Sequence, residues 1–191
     1  DRLGEVIREL EHAGADMIHF DIEDGSFVPV MTLGLKMIAD LRPLTHLPFD
    51  VHLMMVNPEW ILPEIIQSGA DRISFHYEAT QYPRRVLRQI DELGAAAGLA
   101  FNPASPLPDL AYLKPYLSFV LLLSTEPEGP DCPSLPDVLQ KLKSGKQQDN
   151  QGLEWVVDGG INSRNLPAVA EAGADTVVIG RAVFLDNRIE Q

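Results

Sequence analysis

One phrase recurs along this chain: "EHAGADMIHFD" around Gly14, "IQSGADRISFH" around Gly69, "EAGADTVVIG" around Gly173 and, more loosely, "ELGAAAGLAF" around Gly94. Each copy closes a helical pattern and opens a β-rich run, with glycine just past the helix end, where the left-handed conformation is needed. Reuse of a helix, Gly-Ala-Asp, strand unit commits the chain to alternation. Alternation dictates a parallel sheet, because a helix is the usual way to return the chain to the same end of the next strand. Helical patterns fall near residues 2–13, 34–45, 58–68, 82–93, 107–116, 134–144 and 164–172; strand patterns fall near 17–22, 48–54, 72–77, 98–101, 118–124, 154–158 and 176–180. The expected fold is α/β, a single (β/α)8 TIM-barrel domain over residues 1–191. The seven strand patterns are one short of a closed barrel, so the first strand is expected before Asp1, with an open doubly wound sheet as the alternative. No strand runs into a Gly-x-Gly-x-x-Gly turn, which leaves a dinucleotide-binding sheet little support.

A chain of 191 residues, 45% of them hydrophobic, suffices for one well-buried core and is short for two. Its formal net charge of −13 opposes contact with a nucleic-acid backbone or an anionic membrane, and neither partner is expected. Cys132 stands alone, so no internal disulfide forms, and no apolar run approaches the length of a bilayer span. The first residues, "DRLGEVIREL", have helical spacing and acids instead of the basic-then-apolar layout of a signal peptide. A cytoplasmic location is expected. "STEPEGPDCPSLP", Ser124 to Pro136, is a Pro- and acid-rich loop after a strand, on the functional rim; "KSGKQQDNQG", Lys143 to Gly152, reads as a surface connection at the opposite end.

Side chains alternate along a strand, so in "IHFDIEDG" His19, Asp21 and Glu23 share one face, and Ile18, Phe20 and Ile22 the other. In a barrel the apolar face packs against helices and the polar set points to the axis, where the carboxyl ends of the strands form the active-site mouth. "FDVHLMM" places Asp50, His52 and Met54 on one face by the same rule, and "LEWVVDGG" ends in Asp158. His19, Asp21, His52 and Asp158 therefore converge from three strands, and two imidazoles with two carboxylates fit a divalent metal ion, Zn, Mn, Fe or Co by ligand type. Taken alone, His52 also reads as a hydrogen-bonded core histidine. His76, with Glu78 on its face, is a competing ligand or a core residue; His12 and His46 are expected to face solvent. Gly159 and Gly160 free the backbone to approach an anion, the "NSRN" that follows begins a helix, and Gly180 with Arg181 repeats the pattern after the last strand. Counted with the strand expected before Asp1, these loops follow strands seven and eight, the recurrent phosphate site of barrels. Each glycine group also reads as a tight turn.

"IHFDIEDGSFVP", "PFDVHLMMVNPE", "GLAFNPASPL", "VVDGGIN" and "VIGRAVF" together resemble, in order, the successive strand-end motifs of the ribulose-phosphate 3-epimerase family. The resemblance implies a β/α barrel, a divalent metal, and epimerisation at C3 of a phosphorylated ketose, with a homo-oligomer as a further expectation. It implies metal ligation by His19, Asp21, His52 and Asp158, proton exchange by Asp21 and Asp158, and phosphate contacts from Gly159, Gly160, Gly180 and Arg181. Removing a proton beside the C2 ketone and returning one on the other face calls for two flanking acid–base groups. A metal on the C2 and C3 oxygens would stabilise the enediolate between the two transfers. The chain also departs from the family pattern. Glu23 replaces a methionine that would line the site, Met54 is kept, Leu123 stands where another methionine is frequent, and Arg181 where serine is common. In the Ser124–Pro136 loop Gly129 is the clear remnant of the family's glycine-rich run, so the chain resembles a divergent sugar-phosphate epimerase-like branch. Two other readings stay open: a metal-independent phosphosugar barrel enzyme, and a non-catalytic barrel that binds a sugar phosphate.

Overall fold

The computed structural model describes residues 2–32, 34–126, 135–149 and 152–184. Among the described residues, seven parallel strands, β1 (Ile18–Glu23), β2 (Phe49–Met54), β3 (Arg72–His76), β4 (Ala96–Phe101), β5 (Phe119–Leu123), β6 (Glu154–Asp158) and β7 (Thr176–Val177), lie side by side in chain order. Six α-helices accompany them: α1 (Leu3–His12), α2 (Leu35–Leu41), α3 (Leu62–Gln67), α4 (Pro83–Glu92), α5 (Leu135–Gln148) and α6 (Leu166–Glu171). Sequential order with a crossover between every pair of neighbours is the winding of a β/α barrel. It excludes the doubly wound alternative, in which strand order reverses at a switch point.

The repeated phrase does two structural jobs. Gly14, Gly69, Gly94 and Gly173 have φ of +89°, +107°, +91° and +100°. The alanine after each glycine donates to the carbonyl five residues back (Ala15 to Leu10, Ala70 to Ile65, Ala95 to Ile90, Ala174 to Val169), and the glycine itself to the carbonyl three back. This pair of bonds is the Schellman cap, and it satisfies carbonyls the helix end would leave unpaired. The aspartate then reaches sideways. Asp71 Oδ2 accepts from the Phe49 amide at 2.7 Å and Asp175 Oδ2 from the Trp155 amide at 2.8 Å, so each clamps the strand next to the one it introduces.

Alternation sorts the two faces. Ile18, Phe20, Ile22, Phe49, Val51, Leu53, Ile73, Phe75, Leu99, Val120, Trp155 and Val157 pack against the helices as one core. The opposite face carries an apolar cluster over β4 to β6, formed by Ala100, Phe119, Leu121, Leu123 and Val156, with Glu154 and Asp158 at the two ends of β6. Over β2 and β3 that inner face carries Asp50, His52, Ser74 and His76, all buried. The sheet curls far enough to bring distant strands together: Arg72 on β3 bonds Glu154 on β6 at 2.8 Å across the interior.

Element boundaries depart from the sequence pattern where proline and glycine act. The helix expected at 107–116 is two 3₁₀ turns, Leu110–Tyr112 and Lys114–Tyr116, because Pro106, Pro108 and Pro115 remove amides and push the residues before them out of the helical region. Pro58 and Pro63 likewise divide 58–68 into a 3₁₀ turn and α3. α5 continues through Lys143–Gln148, part of the stretch expected to be a connection. Gly145 there breaks nothing: a Cβ on it would lie 2.2 Å from the Trp155 ring, so glycine lets the helix approach a fully buried tryptophan. β7 is two residues long, not the five expected, although Val178 adds one more ladder bond to the Val157 carbonyl. Gly129 lies outside the described residues, and among the described residues no helix is long and apolar enough to cross a membrane.

Candidate active site

Register sets the site. His19 pairs with Asp50, Asp21 with His52 and Glu23 with Met54 across β1 and β2, while Leu123 pairs with Asp158 across β5 and β6. His19, Asp21, His52 and Asp158 each offer a ligand atom, and these atoms all lie within 4.8 Å of one another. All four expected ligands are thus brought together, although β2 and β6 are separated in the sheet by three strands.

The ring nitrogens show which atoms face the centre. His19 Nε2 and His52 Nδ1 approach the same oxygen, Asp21 Oδ1, at 3.3 Å and 3.1 Å. His19 Nδ1 is 2.8 Å from Asp50 Oδ2, and the buried Asp50 is in turn 3.4 Å from Arg72 Nε. A carboxylate behind a histidine fixes the tautomer that presents the other nitrogen to a metal. The donor set fits a divalent ion by this criterion as well as by ligand type. Asp50 shares the inner face expected for it, yet its support of His19 was not assigned from sequence, because alternation says which face a residue occupies and not which ring nitrogen it meets.

The two site aspartates are driven in opposite directions. Burial works against ionised Asp21, but the close approach of His19 and His52 outweighs it and holds the carboxyl well below the usual range. Burial raises Asp158, helped by the charge of Asp21 and opposed by His19, His52 and the Gly159 amide. Burial also disfavours charge on His19, yet its bonds to Asp21 and Asp50 hold its pKa well above the ordinary value. Paired titratable groups pushed apart in this way are the arrangement that acid–base chemistry uses.

His76, expected to be a competing ligand or a core residue, is not in the four-residue cluster; its Nε2 lies 3.0 Å from His52 Nε2, and its Nδ1 lies 3.3 Å from Glu78 Oε2. Its pKa falls to about 4, chiefly through burial. Glu78 is lowered to about 2 because bonds from His76, Ser105 and the Asn102 amide outweigh its own burial. His12 and His46 are exposed, as expected. Glu23 and Met54 are buried, 6% and 5% exposed, one level above Asp21 and His52.

Beyond β6, Gly159 and Gly160 have φ of +108° and +64°. A Cβ on Gly159 would sit 2.6 Å from Thr125 Oγ1, and Ser124 donates its hydroxyl to the Gly159 carbonyl. "NSRN" does not begin the helix: α6 starts at Leu166. The Asn162 and Arg164 amides are already bonded to Asn165 and Asn162 side chains at 2.8 Å and 3.0 Å, which removes them as anion donors. Gly180 and Arg181 are exposed in the turn after β7, the strand beside β6.

A curled parallel sheet with barrel winding, carrying two imidazoles and two oppositely perturbed carboxylates at the carboxyl ends of its strands, has the constitution of a metal-assisted barrel-type enzyme that moves protons. The chain matches the Ribulose-phosphate 3 epimerase family over residues 1–184. It belongs to that family. It is 44% identical over 188 residues to a ribulose-phosphate 3-epimerase of Synechocystis sp., covering 96% of this chain and 82% of the relative. It is 40% identical over 187 residues to the ribulose-phosphate 3-epimerase of Escherichia coli K12, covering 96% and 83%. Among solved structures it resembles the tryptophan synthase α-subunit of Pyrococcus furiosus, with a TM-score of 0.73 at 17% identity over 95% of this chain and 82% of that one. That likeness is one of fold.

Proposed function

We propose that this chain interconverts ribulose 5-phosphate and xylulose 5-phosphate, or a closely related pair of ketose phosphates, by inverting C3. The observation that carries the reading is the meeting of His19, Asp21, His52 and Asp158 within 4.8 Å, which sets two carboxyl groups at one site. An ionised carboxylate accepts the C3 proton on one side of the sugar, and a protonated one returns a proton on the other. The direction of reaction exchanges these roles.

His19, Asp21, His52 and Asp158 would hold a divalent ion, with Zn, Mn, Fe and Co the candidates by ligand type. When bound, such an ion supplies Lewis-acid stabilisation of negative charge on the C2 and C3 oxygens. Gly159, Gly160, Gly180 and Arg181 would receive the phosphate, since the first two free the backbone for close approach and Arg181 adds positive charge to an acidic molecule. Met54 and Glu23, one level above the aspartates, would line the sugar, and the carboxylate of Glu23 would favour a hydroxyl-rich face.

The test is incubation of ribulose 5-phosphate and a panel of pentulose and hexulose phosphates in heavy water, with and without a chelator. An epimerase washes deuterium into C3, and Asp158→Asn lowers that exchange by at least ~100-fold while leaving the fold intact. Exchange that survives complete chelation points to a metal-independent phosphosugar enzyme. Binding without exchange points to a non-catalytic sugar-phosphate barrel.

A further inference from the structure

We infer that His76 is a positioning residue for His52: it accepts the His52 Nε2–H, and so leaves the His52 Nδ1 lone pair facing Asp21. The inference rests on the metal reading of the His19, Asp21, His52, Asp158 cluster and extends it to residues outside that cluster.

Proton bookkeeping carries it. His52 and His76 are both 0% exposed, and their Nε2 atoms face each other at 3.0 Å. At that distance one nitrogen must carry a hydrogen and the other must not. The far nitrogen of His76 decides which. His76 Nδ1 faces Glu78 Oε2 at 3.3 Å, and an ionised carboxylate only accepts, so Nδ1 holds the hydrogen and Nε2 holds the lone pair. His52 must then donate from Nε2. Its Nδ1 consequently has no hydrogen to share with Asp21 Oδ1, although the two are 3.1 Å apart. Two acceptors at that separation are a pair of ligands awaiting one cation.

The acceptor at the end of this chain is itself fixed. Glu78 Oε1 takes the Asn102 amide at 3.0 Å and the Ser105 hydroxyl, so the carboxylate cannot turn without leaving a donor unpaired. The Asn102–Ser105 loop is held in turn by Lys141 Nζ, which bonds the carbonyls of Asn102, Pro103 and Ser105 at 3.0, 2.8 and 2.6 Å. Phe27, from the loop after β1, covers His76 with ring centroids 4.6 Å apart. Two motifs otherwise without a role, "FHYEA" and "FNPAS", thereby join in orienting one ligand.

The experiment measures zinc affinity by competition with a chromogenic chelator and histidine tautomers by long-range ¹H–¹⁵N correlation on the zinc-loaded protein. Wild type is expected to show His52 protonated at Nε2 with Nδ1 shifted by the metal. His76→Leu, which keeps bulk but removes the acceptor, should lose affinity roughly 10–100-fold. His76→Gln, whose amide oxygen restores an acceptor, should recover most of it, a rescue that a packing role would not produce. Should the leucine variant fail to fold, Glu78→Gln decides the same question, because its amide must forsake either His76 or the Asn102 N–H. Wild-type zinc affinity retained in these variants, or His52 bound through Nε2, overturns the inference alone. A wild type that takes up no zinc overturns the metal reading and this inference with it.

Discussion

Asp24 shows how single side chains hold the mouth of this barrel in shape. Its carboxylate accepts from the Ser26 and Phe27 amides, both at 2.7 Å, and from the Val56 amide at 2.9 Å, tying the loop after β1 to the loop after β2. Slight burial works against the ionised form, but the three amides outweigh it and lower the pKa. A carboxyl lowered on folding adds stability that is fully present above its unfolded value near 4 and is lost as pH falls through the lower native value. Asp24→Asn should therefore melt below wild type at pH 7, with the gap closing as the buffer is taken down below about pH 4. Thermal melts between pH 7 and pH 3 check this, and a gap independent of pH would refute the assignment. At this scale the sequence was informative about identity and face. The polar alternation in "IHFDIED" and "FDVHLMM" located His19, Asp21 and His52, and "VVDGG" located Asp158. Asp50 behind His19, and Arg72 behind Asp50, depend on side chains meeting across strands, a relation that one-dimensional spacing does not carry.

Among elements, the Gly-Ala-Asp unit has the clearest energetic meaning. Asp175 accepts the Trp155 amide at 2.8 Å and also pairs with Lys146 at 2.9 Å, and the two contacts differ in worth. The ion pair is part-exposed, with side chains 33% and 42% accessible, and such pairs contribute roughly 0–1 kcal/mol. The amide is on a strand whose tryptophan is fully buried, and leaving such a donor unpaired costs about 1–3 kcal/mol. Asp175→Ala should accordingly lose about 1–3 kcal/mol in urea denaturation and speed hydrogen exchange at the Trp155 amide. Lys146→Met should lose under about 1 kcal/mol, and Asp175→Asn, which retains an acceptor, should lie between the two. Equal losses for alanine and methionine would assign the effect to the ion pair. The repeat made the order of elements legible before any coordinates, since each copy marks a helix end and a strand start. Boundaries were less legible. Gly145 reads as a breaker in isolation and is a packing device only because Trp155 arrives from a strand behind it. The prolines between Pro106 and Pro115 outweigh an apolar spacing that would otherwise suit a helix.

For the whole molecule, the question is what holds a sheet whose neighbours are all sequential in so strong a curl. Arg72 and Glu154 tie β3 to β6 across the interior. The His19, Asp21, His52, Asp158 cluster brings β1 and β2 against β6 at the mouth. Without a cation that second closure brings the Asp21 and Asp158 carboxyl groups together, and burial with the charge of Asp21 penalises ionised Asp158. A divalent ion bound there would turn that repulsion into coordination. Because the four side chains meet only in the folded chain, an ion held there would bind the native state far better than the unfolded one, and its binding energy would add to stability. At a free ion concentration of about 100 times Kd the gain is about 2.7 kcal/mol, which for a chain of this size raises Tm by roughly 5–10 °C. Calorimetry with zinc, then with excess chelator, should show that rise and its reversal. Asp158→Asn, which weakens the one ligand contributed from across the barrel, should shrink the shift while leaving the chelated Tm close to wild type or above it, since one buried acid is removed from beside Asp21. A Tm indifferent to zinc in the wild type would mean that the strands are drawn together by the core alone. Equal shifts in wild type and variant would place the ion on β1 and β2 without β6.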